Sequence, residues 1–222
     1  LIEDISFLMK NLLFVLFQEI LVPYVLEGLI TTLDQESNIN LAPMGLIPTL
    51  NAAGEIERLT LRPFPESHTY RNLLDHPEGV FHLTDRVLLL AQAIVKSLDL
   101  SNLELIPAKM IRGYQLASAC QAYEFRITKI DDSSLRKVMQ AEVISTTQFR
   151  PFYGFNRGCY AVIEAAILAS RVHMQDPASI LREFEELRII VEKTGTSETL
   201  QAFELLTDYV QSFLDNVKES QS

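Results

Sequence analysis

The sequence predicts an α+β protein, with a β core built first and a helical section appended to it. Three observations carry this reading. Six segments before Thr147 carry strand signals, period-two alternation or runs rich in β-branched residues. From Phe155 onward, apolar residues recur at spacings of three and four instead. The order is strands and then helices, which places the two kinds of element in different parts of one molecule. The division that follows is an N-terminal apolar extension over 1–23, a core domain over 24–150 and a helical subdomain over 151–222. The seam falls between Thr147 and Tyr153.

In chain order, Val25 to Leu33 is the first strand, and Asp34 to Ser37 is a polar turn. Asn38 to Met44 alternates and reads as the second arm of a hairpin. Asn51 to Glu55, with Gly54, interrupts the chain. Ile56 to Arg62 then alternates, with Leu59 and Leu61 on one face and Arg58, Thr60 and Arg62 on the other. In Gly79 to Asp85, Val80, His82 and Thr84 oppose Phe81 and Leu83. Val87 to Leu98 has helical spacing, and Asp99 to Gly113 has mixed signals. Tyr123 to Ile130 and Arg136 to Thr147 would make a long hairpin through the turn at Asp131 to Ser134.

The C-terminal part holds three helical patterns. Tyr160, Ile163, Ile167 and Ser170 mark a helix ending near Met174. Asp176 before Pro177 is an N-cap followed by a favoured first helical residue, and Gly195 closes that helix. The last helix runs from about Glu198 to Val217.

Composition excludes several classes. The chain has 222 residues, 48% of them hydrophobic and 22% charged, enough for a sizeable core. A net charge of -10 repels polyanions, so neither nucleic acid nor an anionic membrane is expected as a partner. Two cysteines, Cys120 and Cys159, are too few for a disulfide framework and lack metal-site spacing, which fits a reducing cytoplasm. The apolar run Ile5 to Phe17 is too short to span a bilayer, which takes about 20 residues. Glu3 and Asp4 precede it where a signal peptide would be basic. It reads as a short helix docked on the body or a partner, or as an extension outside the functional fold.

The segment LRPFPESHTYRNLLDHPEGVFHLTD, Leu61 to Asp85, is the richest in chemistry. A strand carrying Arg62 ends at Pro63 and Pro65, and a polar run from Ser67 to Asn72 opens a helical turn. A helix start offers free backbone N–H groups and partial positive charge. Ser67 and Thr69 add hydroxyls. Arg62 and Arg71 add planar, doubly donating cations that suit phosphate oxygens. The segment reads as a cradle for one phosphate group. The plain alternatives are surface ion pairs for the arginines and simple helix capping for the hydroxyls.

Asn156 and Arg157 open the Phe155 helix and form a second helix start with a cation. This is either another anion site or an ordinary helix entry. Glu164 would be a partner for Arg157, although a seven-residue separation leaves it two turns away.

The sequence resembles an uncharacterised protein family whose members adopt an FMN-binding split β-barrel with a helical C-terminal extension. The matching words are YVLEGLITTLD at Tyr24 to Asp34, NLAPMG at Asn40 to Gly45, the LRPF…S.TYRNL…GVFHLTD segment, YEF at Tyr123 to Phe125, and FYGFNRGCYAVIEAAILASR at Phe152 to Arg171. The resemblance implies an antiparallel, Greek-key type barrel, FMN as cofactor and a homodimer with FMN near the interface. It also implies a cytoplasmic flavoprotein, either a flavin-dependent oxidoreductase or a non-catalytic FMN-binding or carrier protein. A split barrel that holds no flavin is the remaining alternative. NAD(P)H would be a transient electron donor, since no dinucleotide-binding glycine fingerprint is present.

On this resemblance the cofactor-binding residues are expected to be Met44, Gly45, Arg62, Ser67, Thr69, Tyr70, Arg71, Asn72, His82, Thr84, Asn156 and Arg157. No metal ligand is expected. Met44 and Gly45 would bring strand backbone beside the flavin ring, with core filling as the alternative for Met44. Asn72 would face the cofactor or bond the local backbone. His82 would donate to a ribityl or phosphate oxygen, or serve the fold.

Overall fold

A computed structural model describes residues 24–133 and 137–219. The predicted apolar run at Ile5 to Phe17 lies outside the described residues. Six antiparallel strands close into a barrel in the order β1-β2-β3-β8-β7-β4. They are β1 (Leu26–Leu33), β2 (Ile39–Leu50), β3 (Ile56–Leu61), β4 (Glu78–Leu83), β7 (Gln121–Asp131) and β8 (Val138–Gln148). A small hairpin of β5 (Leu105–Pro107) and β6 (Tyr114–Leu116) occupies the stretch whose sequence signals are mixed. Five helices complete the described chain: α1 (His68–Asp75), α2 (Val87–Ile94), α3 (Arg157–Ala169), α4 (Pro177–Thr194) and α5 (Ser197–Glu219). The fold class is the one the sequence predicts.

Two apolar clusters hold the molecule together. One fills the barrel with inward residues such as Ile30, Leu59, Leu61, Phe81 and Phe125. The other joins α2 to α5 with Leu29 of β1 and Leu116 of β6 on the outside of the barrel. The caps follow the sequence signals. Asp176 accepts from the Ala178 and Ser179 amides ahead of Pro177, and Asn156 accepts from the Cys159 amide.

The clearest departure is β2. It runs six residues beyond Met44 to Leu50, and the whole strand holds two prolines, Pro43 and Pro48. Register explains the tolerance. β1 pairs with β2 only from Ile39 to Leu46, and β3 pairs with it only from Leu46 to Leu50. Pro43 therefore has a strand neighbour only on the β1 side, and Pro48 only on the β3 side. A proline lacks the N–H and survives where its nitrogen faces no ladder. The strand carrying His82 departs in another way. Val80, Phe81 and His82 are all fully buried, so both faces of β4 are covered. The helix predicted to reach Leu98 stops at Ile94, just before Lys96, which takes a positive φ of 57°.

Candidate functional site

The end of β3 and the start of α1 build a polar strip along one side of β2. The last rung of the β2–β3 ladder pairs Leu46 with Leu61, so Arg62 leaves the ladder beside Gly45. Lower down, Asn40 at the start of β2 donates to Thr69 Oγ1 of α1 (3.1 Å) and to Thr32 Oγ1 (3.2 Å). The segment from Arg62 to Ser67 thus runs from beside Gly45 to beside Asn40. Across this length β2 has no strand partner on its β3 side. Pro43 cannot donate to β1, so strand alternation turns the main-chain groups of Leu41 and Pro43 toward that same open edge.

Ser67 is the N-cap of α1: its hydroxyl accepts the Tyr70 N–H (3.1 Å) and donates to the Phe64 carbonyl (2.7 Å). No acidic side chain occupies the first turn, so the positive end of the helix is uncompensated from within. Arg62 and Arg71 are both exposed. Neither forms an ion pair among the described residues, and Arg71 makes only a long 3.4 Å bond to the Glu66 carbonyl. The surface-pairing alternative for these two cations is therefore absent from the described structure. The donors, Arg62, Arg71 and the open first turn of α1, fit a phosphate group.

Other predicted residues are placed elsewhere. Thr69 and Asn72 are buried and tie α1 to the barrel, Asn72 by donating to Thr32 Oγ1 at 3.1 Å. Tyr70 points into the barrel core, where its hydroxyl donates to Asp132 Oδ1 at 2.9 Å. That bond is the main reason its phenol is raised above the ordinary value. Met44 packs against the barrel core, its plainer alternative. Thr84 accepts the Arg86 amide in the turn after β4.

His82 is 0% exposed. Its Nε2 accepts the Leu116 N–H at 3.0 Å, which leaves Nδ1 protonated to donate to the Leu29 carbonyl at 3.2 Å. Burial pushes its pKa down to about 4, against a weaker upward pull from the Leu29 bond. Both ring nitrogens are committed to the fold, because β6 and the outer helical cluster cover a face that alternation alone leaves open.

Asn156 and Arg157 open α3. Asn156 caps α3 and donates to the Thr194 carbonyl at 2.9 Å. Arg157 is exposed with no ion pair among the described residues, and the predicted Glu164 partner does not reach it. Cys159 is half-buried, and burial raises its thiol pKa.

Three features are missing from the sequence prediction. Asn40 joins cradle and barrel; it lies inside the NLAPMG word, but no periodicity singles it out. Glu124 is fully buried and accepts the Lys109 and Met110 amides, both at 2.7 Å. Arg150 grips Asp85 with both terminal nitrogens and also donates to the Ser118 carbonyl. The Arg150 bond holds the Asp85 carboxyl below its usual range. Such long-range pairs leave no local signal.

A groove of about 760 Å³ opens at the opposite end of the barrel, edged by Tyr24, Leu50, Tyr123 and Thr146. Among the described residues, no helix is long and apolar enough to cross a membrane, and no cluster of three or more His, Cys, Asp or Glu side chains is placed to hold a metal.

Comparison with known proteins bears on the family and the fold. No curated protein matches the chain. The chain resembles the crystal structure of an FMN-bound DUF447 protein from Methanosarcina mazei, with a TM-score of 0.71 and 19% identity over 85% of this chain and 96% of that one. An FMN-binding protein from Thermus thermophilus, solved with 1-cyclohex-2-enone, scores 0.46 at 13% identity over 57% of this chain and 72% of that one. Flavoredoxin of Desulfovibrio vulgaris scores 0.46 at 11% identity over 56% and 69%. The family described as "Protein of unknown function (DUF447) N-terminal domain" matches residues 26–149, and its companion, "Protein of unknown function (DUF447)", matches residues 156–208. With these matches spanning barrel and helices alike, the chain belongs to the DUF447 family.

Proposed function

We propose that this chain binds FMN along the strip between β2 and the Arg62–Arg71 segment, with the phosphate at the start of α1. The observation that carries the reading is the pair of exposed arginines, Arg62 and Arg71, left without carboxylate partners beside an open helix N-terminus in a chain of net charge -10. The FMN-bound family relative supports the choice of anion. The open edge of β2 at Leu41 and Pro43 supplies backbone groups for the polar rim of the ring. We extend this reading to a homodimer with FMN near the interface, Arg157 then being a cation either subunit can offer, and to a cytoplasmic location.

FMN supplies electron and hydride transfer when bound, while the protein binds, orients and shields it. The conclusion is an FMN-dependent oxidoreductase drawing electrons from a transient donor such as NAD(P)H. The second reading is a non-catalytic FMN-binding protein. The burial of His82 favours it, since that removes the histidine expected to touch the cofactor.

The test is titration of apoprotein with FMN, followed by anaerobic addition of NADH or NADPH. Saturable binding with bleaching of the flavin band supports the oxidoreductase. Binding with bleaching by dithionite alone supports the second reading. Failure to bind FMN overturns both.

A further inference from the structure

The end of the barrel far from the cradle opens into the groove of about 760 Å³. Strand lengths create it. β1 pairs with β2 no further than Leu46, and β2 continues to Leu50 with β3 alone. The inward side chains of this overhang therefore have no β1 residue beside them. Pro48 pairs with Leu59 of the barrel core and Leu50 with Ile56, so both share the inward face. A register shift between Thr49 and Leu50 bends the overhang, as bulges do at barrel rims. Leu26, Leu83 and Val143 complete the apolar wall. Barrel mouths are frequent small-molecule sites, and ligand pockets run from about 300 to 1,000 Å³.

One buried polar group opens on this wall. Tyr123 is only 6% exposed and shares the inward face of β7 with Phe125. Its hydroxyl makes no hydrogen bond among the described residues, whereas Tyr70 of the same core spends its hydroxyl on Asp132. Burial raises the Tyr123 phenol pKa, so at neutral pH it keeps its proton and is a donor. Nor is the oxygen sealed in. Among the described residues, Gln115 Oε1 alone is cut off from both a partner and solvent. The Tyr123 hydroxyl therefore reaches the groove that its ring lines. Thr146, opposite Tyr123 in the ladder, places a second hydroxyl on the same face.

Charge narrows what fits. Glu55 and Glu57 lie along the edge with no Lys or Arg among the lining residues, which disfavours an anion such as a phosphate. Both carboxylates already have partners, Asn51 at 3.1 Å and Arg58 at 3.7 Å, so neither calls for a cation. Apolar walls around one unpaired donor select a neutral molecule with an acceptor oxygen.

We propose that the barrel mouth binds a neutral, largely apolar small molecule, and that Tyr123 donates a hydrogen bond to its carbonyl oxygen. The site is separate from the cradle and does not rest on the FMN reading.

The experiment is equilibrium dialysis of the full chain against acetylnaphthalene, a neutral aromatic ketone, with and without saturating FMN. Saturable uptake of one ketone per chain is expected, unchanged by FMN. Naphthoate, its anionic counterpart, should bind about tenfold more weakly or worse. Tyr123→Phe should weaken the ketone about three- to tenfold, the loss of one hydrogen bond. Ethylnaphthalene, which has no carbonyl, should bind that variant as it binds the wild type. Thermal unfolding and FMN binding of Tyr123→Phe should not change, because the phenol has no partner to lose. Leu50→Glu, at a position 56% exposed, should weaken the ketone by about tenfold or more in a folded protein. Unsaturable uptake, or binding indifferent to both substitutions, overturns the site. Displacement of the ketone by FMN overturns it too, by moving the ketone to the flavin. Uptake per chain that falls as protein concentration rises means a second copy covers the groove, and also overturns it. Equal binding of ketone and naphthoate overturns the selection of a neutral ligand. Sensitivity to Leu50→Glu alone overturns the role of Tyr123.

Discussion

The barrel places one arginine just past a strand at each end, and treats the two oppositely. Arg150 follows β8, is half-buried, and binds both oxygens of Asp85 and the Ser118 carbonyl. Arg62 follows β3 at the other end, is exposed, and pairs with no carboxylate among the described residues. Residue type is the same and so is the local setting. The difference is whether the fold itself consumes the cation. In an acidic chain, an arginine left unconsumed beside an unshielded helix start is the more informative of the two about ligands. His82, Thr69 and Asn72 are likewise spent on the fold.

Four measurements break or sharpen this contrast. The largest effect is expected at His82. Its folded pKa of about 4 lies below the ordinary 6.5, so its contribution to stability is complete above pH 6.5 and is lost as pH falls toward 4. The loss should reach about 3 kcal/mol by pH 4. Denaturant unfolding across that range should show it, and His82→Gln should flatten the profile. A wild type with no fall over that window would show that His82 charges freely and is not spent on the fold.

Arg150→Ala should destabilise the protein by about 2–3 kcal/mol, because Asp85 is left half-buried without its partner. FMN affinity should stay within about twofold, since the cradle is at the far end. Arg62→Ala and Arg71→Ala should do the reverse. Each should weaken FMN binding by about 1.5–3 kcal/mol, while apoprotein stability moves by less than about 0.5 kcal/mol. If either costs as much stability as Arg150→Ala, the distinction between consumed and available cations fails. The smallest effect is Asn40→Ala. Losing its bonds to Thr32 and Thr69 should cost about 1 kcal/mol of stability, and should lower FMN affinity only through a less firmly seated α1.

Much of this is legible in the sequence. Alternation in Ile56 to Arg62 put Leu59 and Leu61 inward and Arg62 outward, as found. Asp176 and Pro177 marked a helix start, and Gly195 its end, because capping is local chemistry. The Ser67 cap and the two exposed arginines beside it are legible for the same reason, since they are neighbours in sequence. What stayed hidden depends on distant segments. Nothing near His82 announces that β6, more than thirty residues on, will cover it. The alternating pattern closes the second strand at Met44, short of Leu50, because sequence cannot tell which edge of a strand goes unpaired. Asn40 looked like any polar strand residue, since its partners Thr32 and Thr69 come from other elements.

The one-sided pairing of β2 has a consequence for self-association. A bare strand margin normally recruits a neighbouring molecule's backbone and seeds fibrous aggregates. Here the imino ring of Pro43 withholds a donor at mid-margin, so no intruding strand can zip along it in register. The same residue that leaves the edge of β2 without a strand neighbour on one side closes it to runaway polymerisation.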